Sequence, residues 1–274
     1  MPALPLILSF VAALALAPSL VAFLIDGEHL RENYRGAMLA CPLGLLILAA
    51  ALAALVPLAL LSGLFELNTL DLVGMPLILG VAALGIADDV FAGSSRGWRG
   101  HGGAALKGSF STGALKAFGT LGLALAWCAV TQEGVARFLL ASLVIVLATN
   151  FFNLLDLRPG RSVKALVLVG IGCCLGAWSV ESLFSLGLWV GPILVCGALD
   201  LRERGILGDS GSNVVGAVAG IWLVLVLDTT GLAIAAALLV LLTIFGELRS
   251  INSFVEGTPG LRHLDSIGRT VHRV

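Results

Sequence analysis

Apolar runs of about twenty residues recur from one end of this chain to the other, and no other feature restricts its folding as much. Each is long enough to cross ~30 Å of hydrocarbon as an α-helix. Lipid offers no solvent to backbone N–H and C=O groups, so a spanning segment must be a helix or part of a closed barrel. A barrel strand alternates polar and apolar positions, and runs such as Leu45 to Leu61 do not alternate. With 58% apolar and 12% charged residues, the composition lies far outside that of soluble domains. These features predict an all-α, polytopic membrane bundle forming one integral domain over residues 1–274.

Nine spans are predicted, over 3–25, 37–62, 72–90, 114–130, 135–153, 163–180, 183–200, 211–228 and 230–248. No Lys or Arg precedes the first run, which reads as a transmembrane helix rather than a signal peptide. Fifteen of the sixteen Lys and Arg residues fall in odd-numbered connections, at their flanks or in the C-terminal tail; the exception is Arg137. The positive-inside rule then puts the N-terminus outside and the C-terminus in the cytoplasm. Twelve of the seventeen carboxylates fall on that same side, which the rule does not require and which suggests a polar site there. The five cysteines lie inside apolar spans without metal-ligand spacing and read as small core residues.

Four strings on the charged side carry candidate chemistry. Asp88 and Asp89 end the third span, where adjacent carboxylates are costly unless solvated, paired or bound to a cation such as Mg²⁺. Asn150, Asn153 and Asp156 recur every third residue at the end of the fifth span, as a polar stripe suited to a nucleobase edge or a phosphate-bound metal. Gly208-Asp209-Ser210-Gly211-Ser212-Asn213 feeds a helix N-terminus, where free N–H groups attract anions. There Gly211 and Ser212 suit phosphate oxygens, and Asp209 suits a phosphate-bound Mg²⁺. The tail from Glu256 to Arg269 joins a turn to cations and His263, and Arg262 suits a diphosphate or anionic headgroups. Ordinary alternatives remain for each: a solvated helix end, hydrogen bonds between helices, a capped helix start. The glycine-rich run Arg96 to Gly103 reads as a flexible loop or a phosphate contact.

In their order and sidedness these strings resemble the polyprenyl-phosphate N-acetylhexosamine-1-phosphate transferases, which include the phospho-muramoyl-pentapeptide and GlcNAc-1-phosphate transferases. The likeness extends from Pro42-Leu43-Gly44 to Gly268. It implies transfer of a sugar-1-phosphate from a UDP-sugar to polyprenyl (undecaprenyl) phosphate, with Mg²⁺ as cofactor and UMP released, for cell-envelope polymer synthesis. It implies a bacterial plasma membrane location, a lipid and a sugar nucleotide as partners with no nucleic acid, and dimerisation as a family expectation. Carried over by motif, Asp88, Asp89, Asp156 and Lys116 match the catalytic positions, and Asp209 with Asp156 the metal-binding ones. Asn150, Asn153, Gly211, Ser212, Arg262 and His263 match substrate contacts.

Three positions depart from that pattern. Pro159 stands where a second acid follows Asp156 by three residues, Ala92 replaces a Lys or Asp, and His263 stands alone rather than in a cluster. These departures leave open a catalytically weak relative that binds polyprenyl phosphate or sugar nucleotide as a partner in envelope assembly. A transporter is disfavoured, because its acids typically lie mid-span.

Overall fold

The computed structural model describes residues 1–65, 72–91 and 112–270 and is a helical bundle. The helices are α1 (Leu4–Asp26), α2 (Gly44–Phe65), α3 (Met75–Phe91), α4 (Thr112–Thr131), α5 (Val135–Leu155), α6 (Arg161–Ala177), α7 (Glu181–Ser185), α8 (Gly187–Leu201), α9 (Gly208–Val226), α10 (Thr229–Leu248), α11 (Ile251–Gly257) and α12 (Pro259–Ser266). A helix occupies each of the nine predicted spans. Six of them, α1, α2, α4, α5, α9 and α10, are long and apolar enough to cross a membrane. The 17-residue α3 and α6 and the 15-residue α8 are shorter. At ~1.5 Å per residue they reach roughly 22–26 Å.

Three expectations are corrected, the first being that Gly208–Asn213, expected as a turn before a span from 211, is itself the helical start of α9. The second span was expected from residue 37, but Met38–Ala40 forms β2, antiparallel to β1 (Leu30–Glu32), with Arg31 opposite Leu39. Three-residue strands leave little periodicity, and the apolar Met38–Cys41 run merges by composition into the helix that follows. The Asn33 side chain builds the hairpin turn by accepting from the N–H groups of Arg35 and Ala37, at 2.9 and 3.0 Å. The tail, expected as a turn with cations, instead forms α11 and α12.

The bundle is organised around α9. Nearly every residue of α9 is buried, and it packs on α5, α3, α6 and α2. Small residues permit this: a Cβ on Gly216 would lie 2.6 Å from the Thr149 Cα of α5, so only glycine lets the two backbones approach so closely. α1 packs against α8 and α2, α4 against α3 and α5, and α10 against α5.

Both ends of α9 are satisfied by charges from other helices. At its start, Asp89 of α3 accepts from the N–H groups of Asp209 (3.0 Å) and Ser210 (2.9 Å). At its end, Arg137 of α5 donates to the carbonyls of Val224 (2.9 Å) and Leu227 (3.0 Å). An anion at the N-terminus and a cation at the C-terminus both complement the helix dipole. Arg137, the one cation off the charged side of the sequence, is therefore explained as a helix cap.

Candidate functional site

The polar connections meet at the α9 N-terminal end of the bundle. Glu203, just after α8, accepts from Asn33 (3.1 Å), Tyr34 (3.4 Å) and Arg35 (3.4 Å) of the hairpin. Arg31 pairs with Asp89 at 3.2 Å. Arg158 stacks 4.3 Å over the Tyr34 ring and pairs with Glu256 at 2.8 Å. Segments far apart in sequence are thus tied into one face.

At its centre lies Lys116, near the start of α4. Its ammonium is 2.5 Å from Asp209 Oδ2 and 3.5 Å from Asp88 Oδ2, which brings three predicted residues to one point. Asp88 Oδ1 is buried without a well-formed hydrogen bond among the described residues. Close backbone approach makes the arrangement fit. A Cβ on Gly85 would lie 2.5 Å from the Ser210 Cα, and one on Gly44 would meet Gly211. Leu43 and Gly44 also donate N–H bonds to Ile206 and Leu207, so the Pro42-Leu43-Gly44 segment holds the strand of chain that enters α9.

Asp89 stands beside Asp88 but faces a different task. Its carboxylate is almost wholly buried, with its oxygens taken by two N–H groups of α9 and by Arg31. The α9 hydroxyls, expected to cap the helix or face phosphate, are placed otherwise. Ser212 donates to Asn153 Oδ1 at 2.9 Å, and Ser210 Oγ is buried without a partner among the described residues. Asn150 lies one turn before Asn153 on α5. Asp156 follows at the C-cap. Burial and the negative charges of Asp200, Asp209 and Asp89 push its carboxyl well above the usual carboxylate range, opposed by Arg31. Arg262 and His263 are exposed on α12, and no side-chain hydrogen bond or ion pair among the described residues joins them to Lys116 or Asp209. The Arg96–Gly103 run and Ala92 lie outside the described residues.

Several residues of this face carry no motif. Asp200, ending α8, accepts from Gly160 N–H at 2.6 Å and so holds the turn beside Pro159. A lone acid at the end of an apolar run was the available signal. Asn213 is buried one helical turn below Asp209, with both side-chain polar atoms unpartnered among the described residues. Arg161, also buried, grips Asp265 of α12 with two bonds at 3.0 and 2.9 Å and Asn252 of α11 at 2.7 Å. Such tertiary partners leave no trace in local sequence.

Mg²⁺ is the cation implied by the family resemblance. Among the described residues no three His, Cys, Asp or Glu side chains group closely enough to hold a metal unaided. Mg²⁺ on a phosphorylated substrate needs only one or two carboxylates, because phosphate oxygens and water complete its shell. The donor set fits that mode: Asp88 and Asp209 flank a cation position occupied by the Lys116 ammonium.

No protein-family model matches the chain, and no curated protein matches it.

Proposed function

We propose that this protein transfers a sugar-1-phosphate from a UDP-sugar to a polyprenyl phosphate at the cytoplasmic face of a bacterial plasma membrane, releasing UMP. The observation that carries this reading is the Lys116 ammonium between Asp88 and Asp209, because it joins three of the separate segments on which the family resemblance rests. In this reading all nine helices cross the membrane, with the N-terminus outside and the charged end in the cytoplasm. A water-soluble nucleotide then meets a lipid phosphate whose tail stays in hydrocarbon.

The reaction needs two anionic phosphates to approach. A lipid phosphate oxygen attacks the phosphorus bearing the sugar, the bond from that phosphorus to the bridging oxygen breaks, and the bridging oxygen leaves with UMP. Lys116 offsets the negative charge at this point. Asp209 and Asp88, with Asp156 nearby, are the carboxylates that would hold Mg²⁺. When bound, the ion stabilises the charge that develops on the transferring phosphoryl group. Asn150 and Asn153 orient the nucleotide, with Asn153 fixed by Ser212. Asp89 acts through α9, holding its N-terminus where Asp209 must stand.

The direct test incubates purified protein with undecaprenyl phosphate and a panel of UDP-sugars and follows Mg²⁺-dependent UMP release. Turnover with one donor supports the transferase. Pro159 favours a second reading, a binding relative without turnover, because it leaves an expected carboxylate out of the site. Ligand binding with no UMP release from any donor would establish that reading instead.

A further inference from the structure

The eight-residue α12 is oriented the wrong way round for a helix in water. Its acid faces the protein: Asp265 is held by Arg161 and by Arg269, the latter at 2.7 Å. Lys164 reaches from α6 to the Asp265 carbonyl at 2.6 Å, and Arg269 donates to the Pro159 carbonyl at 3.2 Å. Leu264 and the C-cap Ile267 lie away from that acid, with Leu261 one turn before it at the edge of the docked face. Leu261, Leu264 and Ile267 are spaced three apart and are 37%, 50% and 52% exposed. A soluble protein turns a leucine stripe towards its core and charges towards solvent. Here the acid is docked and, among the described residues, the three apolar side chains stay exposed.

The position of the helix supplies the occupant. α10 is apolar and long enough to cross a membrane, and it ends at Leu248, itself widely exposed. Only Arg249 and Ser250 separate it from α11. Phe254 of α11 stacks edge-on against Phe245 of α10 at 4.9 Å, so the tail begins at the membrane boundary. Arg262 and His263 are exposed beside the leucine stripe. An apolar stripe flanked by basic residues is the pattern of a helix lying in the interfacial plane of an anionic bilayer.

We propose that α12 is an interfacial anchor, with Leu261, Leu264 and Ile267 among the acyl chains and Arg262 and His263 against anionic headgroup phosphates. The salt-bridged face of the helix locks this anchor to the α5–α6 turn beside Asp156. The assignment does not depend on the transferase reading.

Nitroxide labels at Leu261→Cys, Leu264→Cys and Arg262→Cys test it. They are placed in the full chain carrying Cys174→Ser, in nanodiscs with and without phosphatidylglycerol. Collisions with oxygen, which partitions into lipid, are compared with those of a water-soluble nickel chelate. Labels at 261 and 264 are expected to favour oxygen severalfold, and the label at 262 to sit at the boundary. In phosphatidylglycerol the labels at 261 and 264 should move deeper, and Arg262→Glu should abolish that shift. Nickel-favoured collisions at 261 and 264 would overturn the proposal. So would labels reached by neither agent, which would mean that protein covers the stripe. An identical profile in neutral lipid would overturn the headgroup contact. UMP release is measured separately, so failure here does not touch the transferase reading.

Discussion

Lys116 is the residue on which the candidate site turns, because its one charge faces two carboxylates. Lys116→Ala removes the ammonium that Asp88 and Asp209 both face. UMP release is expected to fall by at least ~100-fold, the loss typical for a group that stabilises transition-state charge. Asp209→Asn should give a comparable loss while the protein still elutes as a folded species. Full Mg²⁺-dependent turnover by that variant would remove Asp209 from the proposed metal site. Asn213 makes an opposite prediction. Its buried amide is unpartnered among the described residues, and an unsatisfied polar group costs ~1–3 kcal/mol. Asn213→Leu should therefore raise thermal stability in detergent and lower activity, a trade-off expected where function keeps a costly group in place. Melting curves read beside UMP release check both halves. At this scale the sequence singled out Asp88, Lys116 and Asp209, each in or beside a recognisable string, and the structure brings the three side chains together. It could not separate Asp88 from its neighbour Asp89, because which carboxylate meets Lys116 and which meets the α9 N–H groups depends on the rotation of α3 against α9.

Among the elements, the tail has a pH dependence with a definite sign. Burial would raise the Asp265 carboxyl, but bonds and charge from Arg161, with Arg269 and Lys164, hold it below its ordinary value. A carboxyl lowered in the folded state contributes stability that is complete above its unfolded pKa of about 4 and lost as pH falls through the lower folded value. The docked tail should thus be insensitive to pH near neutrality and come loose only in strong acid. Limited proteolysis across pH 7 to 3 would follow that release, and loosening near pH 6 would contradict it. Asp265→Asn removes the charge at every pH and leaves the buried Arg161 uncompensated, a change that costs ~3–5 kcal/mol for buried pairs. It should loosen the tail at pH 7 without acid. Helices were the most readable level, since nine apolar runs became nine helices. The hairpin and α12 were not readable. Strands of three residues show too little alternation, and a short helix with its acid turned inward resembles a polar turn by composition.

For the whole molecule, the one-sided charge pattern corresponds to contacts in space: Arg31 with Asp89, Arg35 with Glu203, Arg158 with Glu256 and Arg161 with Asp265. The proposed orientation predicts that, in a Cys174→Ser background, Ser179→Cys labels with an impermeant maleimide on intact cells while Ser266→Cys labels only after permeabilisation. The reverse pattern would invert the molecule. The central helix also bears on how the bundle is made. α9 has the lowest mean hydropathy of the six long apolar helices, 1.4. It begins with Gly-Asp-Ser-Gly-Ser-Asn, and its end charges belong to Asp89 and Arg137, on helices synthesised before it. During biogenesis such a segment is a poor lodger in bare lipid. It should linger at the insertion machinery until it docks on α3 and α5, so the docking of α9 is also the step that creates the site.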